Sequence, residues 1–485
     1  MARGYREVNR DQVFLLPPSL RDWLPEDHLV WFVADAVQRL DLTALHAKRK
    51  TGGVGRRGFD PAVLLAVWIY ASARGMTSSR QIERACLEDI AFRVLCGNDG
   101  PDHSTLAEFR QQNRDTVADL FAQVLALCMR AGMGRLGIVS IDGTKITANA
   151  SAAKTVSLDR LRQIAAAELA KAEATDAAED AADAPTVHDE VPPMFRGPGR
   201  AARIKQALEE LEEQVETESG TAIRAAEQRL AAAKERQAVI DAGVQAGTRR
   251  ADTRRARDAA HGVEVATVKL DAARQARVDQ EAGAHRRRTR YAKRNTTDVD
   301  SRIMKSRNGY VQAFNTQLAV ADDGLILVAQ TSNNPTDTGQ FAALAEAAIA
   351  AVRVATEAAG RSDRIGFLVA DNGYLTNDVL DLTLDGSPTV LIAPGGRTTG
   401  GVWAPGRTKA PAAATHMHSL LADPDNKAAY ARRSATVEPR NADLKDRRGL
   451  RRLAGRGLEA AGAEVSFAAF VTNLLRLNKT GTAFA

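Results

Sequence analysis

The chain has 485 residues, 44% of them hydrophobic, and this length predicts about two to four domains with sizeable cores. The net charge is +6, no run of about eighteen apolar residues predicts a membrane span, and the polar N-terminal stretch lacks a signal-peptide core. The cysteines at positions 86, 96 and 128 match no metal-ligand spacing, so membrane, secreted and disulfide-rich classes are excluded and a cytoplasmic protein is predicted.

Residues 1–130 predict an all-helical N-terminal domain. Apolar residues recur at helical spacing, and polar caps mark the helix starts. At Asp60-Pro61 the aspartate is placed as the cap and the proline takes the first helical position, where its missing donor costs nothing. A capped start at 102–106 predicts one helix that continues through Leu127. Short helices joined by capped turns fit a helix-turn-helix DNA reader and also fit a plain helical bundle.

Two stretches far apart in the chain share one design, an apolar strand that ends on an aspartate. Ile138–Ile141 precedes Asp142, and a second apolar strand precedes Asp371. Gly143 then lets the backbone turn or lets a ligand approach closely. Two such acids on neighbouring strands predict a shared cation site, because Mg²⁺ takes oxygen ligands, usually one or two carboxylates plus substrate phosphates. The alternative is that each aspartate only caps a strand or begins a turn.

Residues 152–295 differ in composition from the rest of the chain, with many Ala, Glu, Arg and Lys residues and few aromatic ones. A thin heptad stripe and two later helical segments predict an antiparallel helical hairpin or coiled-coil arm, inserted into a domain that resumes afterwards. The stripe consists of Ile204, Leu208, Leu211 and Val215. A partly disordered charged linker is the alternative, and a loop is predicted at 185–198.

After the insertion the pattern changes to strands. Two alternating strands form a hairpin that turns at 322–324, and helices and further strands follow. A mobile loop is predicted at 395–414, with helices from there to the C-terminus. This order of strands and helices predicts an α/β RNase H-like catalytic core made of residues 131–151 and 296–480.

A helix near the C-terminus carries a third acid. Glu438 and Lys445 lie two helical turns apart and therefore share one face. This spacing indicates metal ligation by Glu438 and phosphate contact by Lys445, while the alternative is a salt-bridged surface helix. Basic residues also cluster at 286–307 and 440–456, as on a surface that meets a polyphosphate backbone, although a solvated charged face has the same pattern.

Taken together, these motifs resemble those of bacterial insertion-sequence transposases of the DDE class with an InsH-type N-terminal domain. Asp142 in Ile-Asp-Gly-Thr-Lys resembles the first catalytic acid of that family, Asp371 in Ala-Asp-Asn-Gly-Tyr the second, and Glu438 in Thr-Val-Glu-Pro-Arg the third. The family's Tyr-Arg-Glu-Lys signature is matched, with the arginine one residue further from the glutamate than usual, by Tyr430, Arg433, Glu438 and Lys445. Further similarity lies in Asp60-Pro61, Ser79–Glu83, Asp102–Leu106, Asp298–Arg302 and Gly449–Arg452.

The resemblance implies a DNA transposase that cleaves strands at the ends of its element and transfers them into target DNA. It implies two Mg²⁺ ions, with Mn²⁺ as a substitute, held by Asp142, Asp371 and Glu438. It also implies a homodimer on double-stranded DNA, with the N-terminal domain reading the terminal inverted repeats. The residues expected at the DNA are Lys445, Arg433, Tyr430, Arg440, Arg448, Arg451 and Arg452.

Two other functions stay open at this point. One is an RNase H-like DNA nuclease without strand transfer, and the other is an inactive DNA-binding descendant. Several further acids lie near the strands and compete for the site: Asp298, Asp300, Asp322, Asp323 and Asp337. The adjacent Asp322 and Asp323 are more simply part of a hairpin turn.

Overall fold

The computed structural model describes residues 19–48, 58–157, 159–167, 170, 200–246, 248, 253–281, 293–306, 309–386, 388–399, 402–404 and 410–481. The predicted loop at 185–198, the arginines at 286–290 and Arg307 lie outside the described residues. The chain divides into two compact units, one formed by residues 1–149 and 303–485 and the other by residues 150–302.

Seven α-helices precede the sheet in the described part of the first unit. They are α1 (Leu29–Gln38), α2 (Thr43–Ala47), α3 (Pro61–Ala73), α4 (Ser79–Glu88), α5 (Ile90–Leu95), α6 (His103–Gln112) and α7 (Val117–Arg130). Asp60 Oδ1 accepts a hydrogen bond from the amide of Ala62 at 2.8 Å, and Asp102 Oδ1 accepts one from the amide of Thr105 at 2.7 Å. Both predicted caps are therefore confirmed, as is the helical character of this region.

The single helix predicted from position 102 to Leu127 is wrong, because two helices are found there. Asn113 Nδ2 donates to the backbone oxygen of Phe109 at 2.7 Å, and Thr116 Oγ1 donates to the backbone oxygen of Asn113 at 2.8 Å. These side-chain bonds compete with the helical pairing of the same main-chain groups. Helix α6 therefore ends just before Asn113, and α7 begins just after Thr116.

Six of the described strands form one mixed sheet at the centre of the first unit. The strands of the chain are β1 (Ile138–Thr147), β2 (Thr155–Ser157), β3 (Lys293–Asn295), β4 (Arg302–Ser306), β5 (Gly309–Ala321), β6 (Ile326–Ser332), β7 (Phe367–Ala370), β8 (Thr389–Ile392), β9 (Arg397–Thr399) and β10 (Val402–Ala404). The central sheet has the order β4-β5-β1-β7-β8, with β6 paired to β5. Strand β1 is antiparallel to β5 and parallel to β7, which confirms the α/β part of the predicted class.

Further helices follow β2 along the described chain. They include α8 (Arg200–Gln245), α9 (Arg254–Glu281), α10 (Phe341–Ala358), α11 (Pro411–Leu420), α12 (Pro424–Ala431), α13 (Arg433–Ala442) and α14 (Leu458–Lys479). The loop predicted at 395–414 is wrong at its C-terminal end, because Pro411 begins α11 and both Ala413 and Ala414 are buried. Proline at the first helical position and two small buried residues make this a helix start.

One hydrophobic core joins the N-terminal helices to the sheet. Val33 of α1, Phe92 of α5, Ile141 of β1, Leu368 of β7 and Leu474 of α14 all belong to it. By length and composition, α14 is the one described helix that could cross a membrane. It lies instead against α7 and β6, and more than half of its apolar window is buried inside the protein.

Asn473 fixes α14 to the beginning of β6. Its Oδ1 accepts from the amide of Ile326 at 3.0 Å, its Nδ2 donates to the oxygen of the same residue at 2.8 Å, and the side chain is fully buried. Asn473→Ala leaves two buried main-chain groups unpaired and should lower the free energy of unfolding by about 2–4 kcal/mol. Urea unfolding measures this, with Asn478→Ala, an exposed position on the same helix, as the control expected to change it by less than about 0.5 kcal/mol. Equal unfolding midpoints for the two variants would contradict the assignment.

The second unit is built on the two long helices α8 and α9, which pack against each other. Arg274 of α9 lies 3.1 Å from Glu227 of α8, and β2 pairs with β3. A small separate core contains Leu161, Ile204 and Leu211. The described part of this region contains two long helices where three helical segments were predicted, and the coiled-coil insertion stays a prediction.

Candidate active site

Asp142 and Asp371 stand at the same level on neighbouring strands. The strand end predicted at Asp142 is wrong, because β1 continues to Thr147 through its pairing with β5, whereas Asp371 directly follows β7. Strands β1 and β7 run parallel with Ile141 paired to Ala370, so the next residue on each strand is an aspartate. Asp371 also caps the short 3₁₀ turn that follows, because its Oδ1 accepts from the amide of Gly373 at 2.8 Å. Asp371 is therefore a turn cap, as the alternative predicted. The capping bond uses its Oδ1, and this is compatible with a further role for the carboxylate.

Asp142 is mostly buried, and its side chain is 18% exposed. Burial raises its pKa to about 6, and the negative charges of Asp371 and Asp337 add to the increase. Arg433 acts in the opposite direction, with its Nη1 3.9 Å from Asp142 Oδ1. Asn441 Nδ2 donates to Asp142 Oδ2 at 3.1 Å. A carboxyl group crowded by other negative charges is a feature of functional sites as well as of ion-pair networks.

Helix α13 presents one face to Asp142, and Glu438 is not on it. Both Arg433 and Asn441 contact Asp142, and Val437 between them is fully buried, so the sheet-facing positions recur every four residues. Glu438 follows Val437 by one residue, which turns it about 100° away around the helix, and it is exposed. Among the described residues no three His, Cys, Asp or Glu side chains are grouped closely enough to hold one metal ion. The expected grouping of three carboxylates is therefore not found in this conformation.

Asp337 lies on the other face of β1 and was named from the sequence only as one of several acids near the strands. Its Oδ1 accepts hydrogen bonds from Lys145 Nζ at 3.2 Å, from Asn315 Nδ2 at 2.8 Å and from Gln317 Nε2 at 2.7 Å. Side chains alternate along a strand, so Lys145 points away from the Asp142 face. The carboxylate of Asp337 is thus held from three sides.

Tyr374 is linked to Asp337 through Gln317. Its hydroxyl donates to Gln317 Oε1, and its ring is fully buried. Burial raises the pKa of Tyr374, and the charges of Asp337, Asp142 and Asp371 raise it further. The phenol therefore stays protonated and acts as a neutral donor beneath the acids.

Tyr430 and Arg433 lie together beside Asp142. Burial raises the pKa of Tyr430, and its hydrogen bond with Arg433 acts against that increase. The tyrosine ring packs on the buried residues Val369 and Leu391 of β7 and β8. The unusual spacing of Arg433 relative to Glu438 still places its guanidinium at the first acid.

The basic residues expected at the DNA divide into internal and surface groups. Arg440 pairs with Asp443 at 2.9 Å and is largely buried, while Arg448 is buried and its Nη1 donates to the oxygen of Ser72 at 3.0 Å. Lys445 lies partly exposed on a π-helical turn, Asp443–Arg447. The two exposed members of the group are Arg451, which pairs with Asp446 at 2.6 Å, and Arg452. The expected phosphate contact by Arg448 is therefore corrected, because its guanidinium is committed inside the protein.

Arg448 and Arg452 offer a matched comparison of these two groups. Arg448→Ala removes a buried donor and a packed side chain and should lower the free energy of unfolding by about 1–3 kcal/mol. Arg452→Ala should leave stability unchanged and weaken DNA binding, with the salt dependence of binding reduced by about one charge. Thermal melts and DNA titrations at several salt concentrations measure both. Loss of DNA affinity with unchanged stability in Arg448→Ala would contradict its internal assignment.

The residues of the site fit a hard divalent cation at the Asp142–Asp371 pair. Both residues supply carboxylate oxygens, and Asn441 Oδ1, next to Asp142, is buried and has no hydrogen-bond partner among the described residues. Ions such as Mg²⁺ are bound through one or two carboxylates together with water and substrate phosphates. Three oxygen-bearing side chains of this kind meet that requirement without Glu438.

Two family models match the chain at its two ends. Residues 18–112 match a family described as "Transposase domain (DUF772)", and residues 406–478 match a family described as "Transposase DDE domain". The chain thus carries two transposase domains, and their order is consistent with an insertion-sequence transposase of the DDE class. The DDE match contains Tyr430, Arg433, Glu438 and Lys445, whereas Asp142 and Asp371 lie outside both matches. No curated protein and no solved structure matches the chain. Because transposases act on DNA, DNA is the partner that the matches imply.

Proposed function

We propose that the transposase cleaves DNA strands at the ends of its own element and joins the freed 3′ ends to target DNA. The proposed catalytic acids are Asp142, Asp371 and Glu438 on an RNase H-like core. The observation that carries the proposal is the Asp142–Asp371 pair, which stands at one level on two parallel strands with Arg433 beside it. Glu438 is included in the proposal because it resembles the third acid of the family and lies within the DDE match.

The transposase's own side chains have separate tasks in this proposal. Asp142 and Asp371 would hold Mg²⁺, or Mn²⁺ in its place, and two such ions activate water and stabilise the leaving oxygen of a phosphodiester. Asn441 and Arg433 fix the carboxylate of Asp142 by contacts to each of its oxygens. Glu438 is exposed here, so its participation requires α13 or the glutamate side chain to turn toward Asp142.

Binding and orientation of DNA fall to the remaining residues of the proposal. Lys445, Arg451 and Arg452 would contact phosphates, which positions a duplex without reading its sequence. The N-terminal helices would read the inverted repeats, and two copies would hold the two element ends together. The proposed location is the cytoplasm, where the nucleoid lies.

Mapping nicks on DNA tests the proposal. The full chain is incubated with duplexes that carry the flanking ends of its element, with Mg²⁺ or with EDTA. We expect Mg²⁺-dependent nicks at the ends, lost in Asp142→Ala and kept in Asp385→Ala, a control at an exposed acid that pairs with Arg353 on the surface. If nicks persist in Asp142→Ala, the assignment of Asp142 as a catalytic acid is wrong.

A second assay separates the transposase from a nuclease. Duplexes with pre-cleaved 3′ ends are offered together with a supercoiled target plasmid, and joined products are counted. Joining supports strand transfer. Cleavage without joining would instead support the nuclease.

A further inference from the structure

Asp337 is a fixed negative charge close to both proposed catalytic acids. Its Oδ1 is fully engaged by Lys145, Asn315 and Gln317. Asp337 also lies close to Asp371: a Cβ placed on Gly373 would lie 3.6 Å from both Cβ and Oδ2 of Asp337 and 3.0 Å from Asp371 Oδ1. The side chain of Asp337 is therefore in the neighbourhood of Asp371.

No side chain of β1 lies between Asp337 and the strand backbone at this point, because the residue there is Gly143. A Cβ on Gly143 would lie 2.5 Å from Asp337 Oδ1, so the carboxylate rests directly on the backbone of the residue that follows Asp142. Asp337 therefore lies one residue away, along the backbone of β1, from Asp142.

The positive charge of Lys145 offsets the negative charge of Asp337, and both side chains lie on the face of β1 opposite Asp142. Its ammonium is largely buried and lies 3.2 Å from Asp337 Oδ1. A cation bound at Asp142 and Asp371 would be attracted by Asp337 and repelled by Lys145, since Asp337 lies against Gly143 and Gly373, which neighbour the two acids, and Lys145 contacts Asp337. The two side chains therefore have opposite effects on the same ion.

We propose that Asp337 is a positioning residue that strengthens divalent-cation binding by Asp142 and Asp371, through its fixed charge and its hold on Lys145, without being a ligand itself. The inference rests on the proposed function, because it assumes a cation at that pair. Asp337 would lie outside the ligand set, because its Oδ1 accepts hydrogen bonds from three donors on the face of β1 opposite Asp142. Outer residues of metal sites commonly change cation affinity by about tenfold or more when replaced.

Mn²⁺ alone is the probe, titrated into the full chain without DNA and followed by the electron paramagnetic resonance signal of the free ion. Asp337→Asn should weaken Mn²⁺ binding by about tenfold. Lys145→Met keeps most of the side-chain volume, removes the positive charge and should tighten binding by roughly threefold. A merely structural role would disturb both variants in the same direction, so the opposite signs distinguish the two roles. Asp385→Asn, which removes an exposed charge from a surface ion pair with Arg353, is the control and should match the unchanged protein.

Asp142→Ala separates failure of this inference from failure of the proposed function. If Asp142→Ala loses Mn²⁺ binding while Asp337→Asn binds as the unchanged protein does, Asp337 has no such role and the proposed function stands. If the unchanged protein shows no binding that depends on Asp142, both fail. If circular dichroism shows that Asp337→Asn is unfolded, Lys145→Met decides: tighter binding supports the inference, and equal or weaker binding overturns it.

Discussion

Asp142→Asn is expected to abolish strand cleavage and at the same time to stabilise the folded protein at neutral pH. Cleavage should fall by about a thousandfold or more, because several kcal/mol of transition-state stabilisation depend on a charged ligand at this position. The free energy of unfolding should rise by about 1–3 kcal/mol in metal-free buffer, because the variant no longer holds a buried carboxylate near two others. An ordinary core residue would lose stability on replacement.

The direction of the pH dependence follows from the raised pKa of Asp142. In the folded protein this pKa is about 6, above the ordinary value of 3.8, so the folded state binds more protons than the unfolded state between those values. The charged carboxyl therefore destabilises the fold fully above about pH 6 and not at all well below pH 4. The advantage of Asp142→Asn should be present at pH 7.5 and should shrink as the pH falls through this window.

Thermal unfolding in EDTA at pH 7.5 and at pH 4.5 measures the difference between the two proteins. EDTA is required because a bound cation would offset the repulsion that the variant relieves. Asp385→Asn, an exposed acid paired only with Arg353, is the matched control and should show no such pH-dependent gain. A lower unfolding temperature for Asp142→Asn at pH 7.5 would show that the carboxylate is held by favourable contacts.

The apolar strands before the two acids could be predicted from sequence because their signal is local. Two apolar runs predicted strands that bring Asp142 and Asp371 next to each other, but the predicted strand end is correct only for Asp371. Strand β1 continues past Asp142 to Thr147, because β5 pairs with it there, and that pairing is not local. The hairpin turn at 322–324 was equally local, and Gly324 there has a positive φ of 83°. Such features need no knowledge of distant parts of the chain.

Asn441 and Asp337 could not be found in the same way. Each reaches the site through packing: Asn441 by the rotation of α13 on the sheet, and Asp337 by the path of the chain between β6 and α10. The four-residue spacing of Arg433, Val437 and Asn441 was visible, but it indicates only that some face of a helix is buried. Resemblance directed attention to Glu438, whose side chain points to solvent in this conformation.

The basic cluster at 440–456 shows a second limit of prediction from sequence. A sequence shows which residues are charged but not which are buried, so Arg448 and Arg451 could not be distinguished. The first is enclosed and bonded to Ser72, while the second is exposed. Long basic side chains pack as well as pair, and only the tertiary structure separates these uses.

Gly143→Ala is expected to damage the fold and the site together. The added Cβ would lie 2.5 Å from Asp337 Oδ1 and 2.8 Å from Gln317 Nε2. Neither neighbour can retreat cheaply, because the Asp337 carboxylate is held by three donors and Gln317 also accepts from Tyr374. Overpacking of this kind typically costs about 1–3 kcal/mol, and the displaced strand would carry Asp142 with it.

Gly137→Ala is the matched control, because it makes the same substitution just before β1 at a position with no atom within 4 Å of the added Cβ. Urea unfolding should show a change of less than about 0.5 kcal/mol for Gly137→Ala. Combining Gly143→Ala with Asp337→Ala removes the obstructing carboxylate and should recover part of the lost stability, since the two changes share one contact. Additive losses in that double variant would mean that Gly143 is required for a reason other than its contact with Asp337.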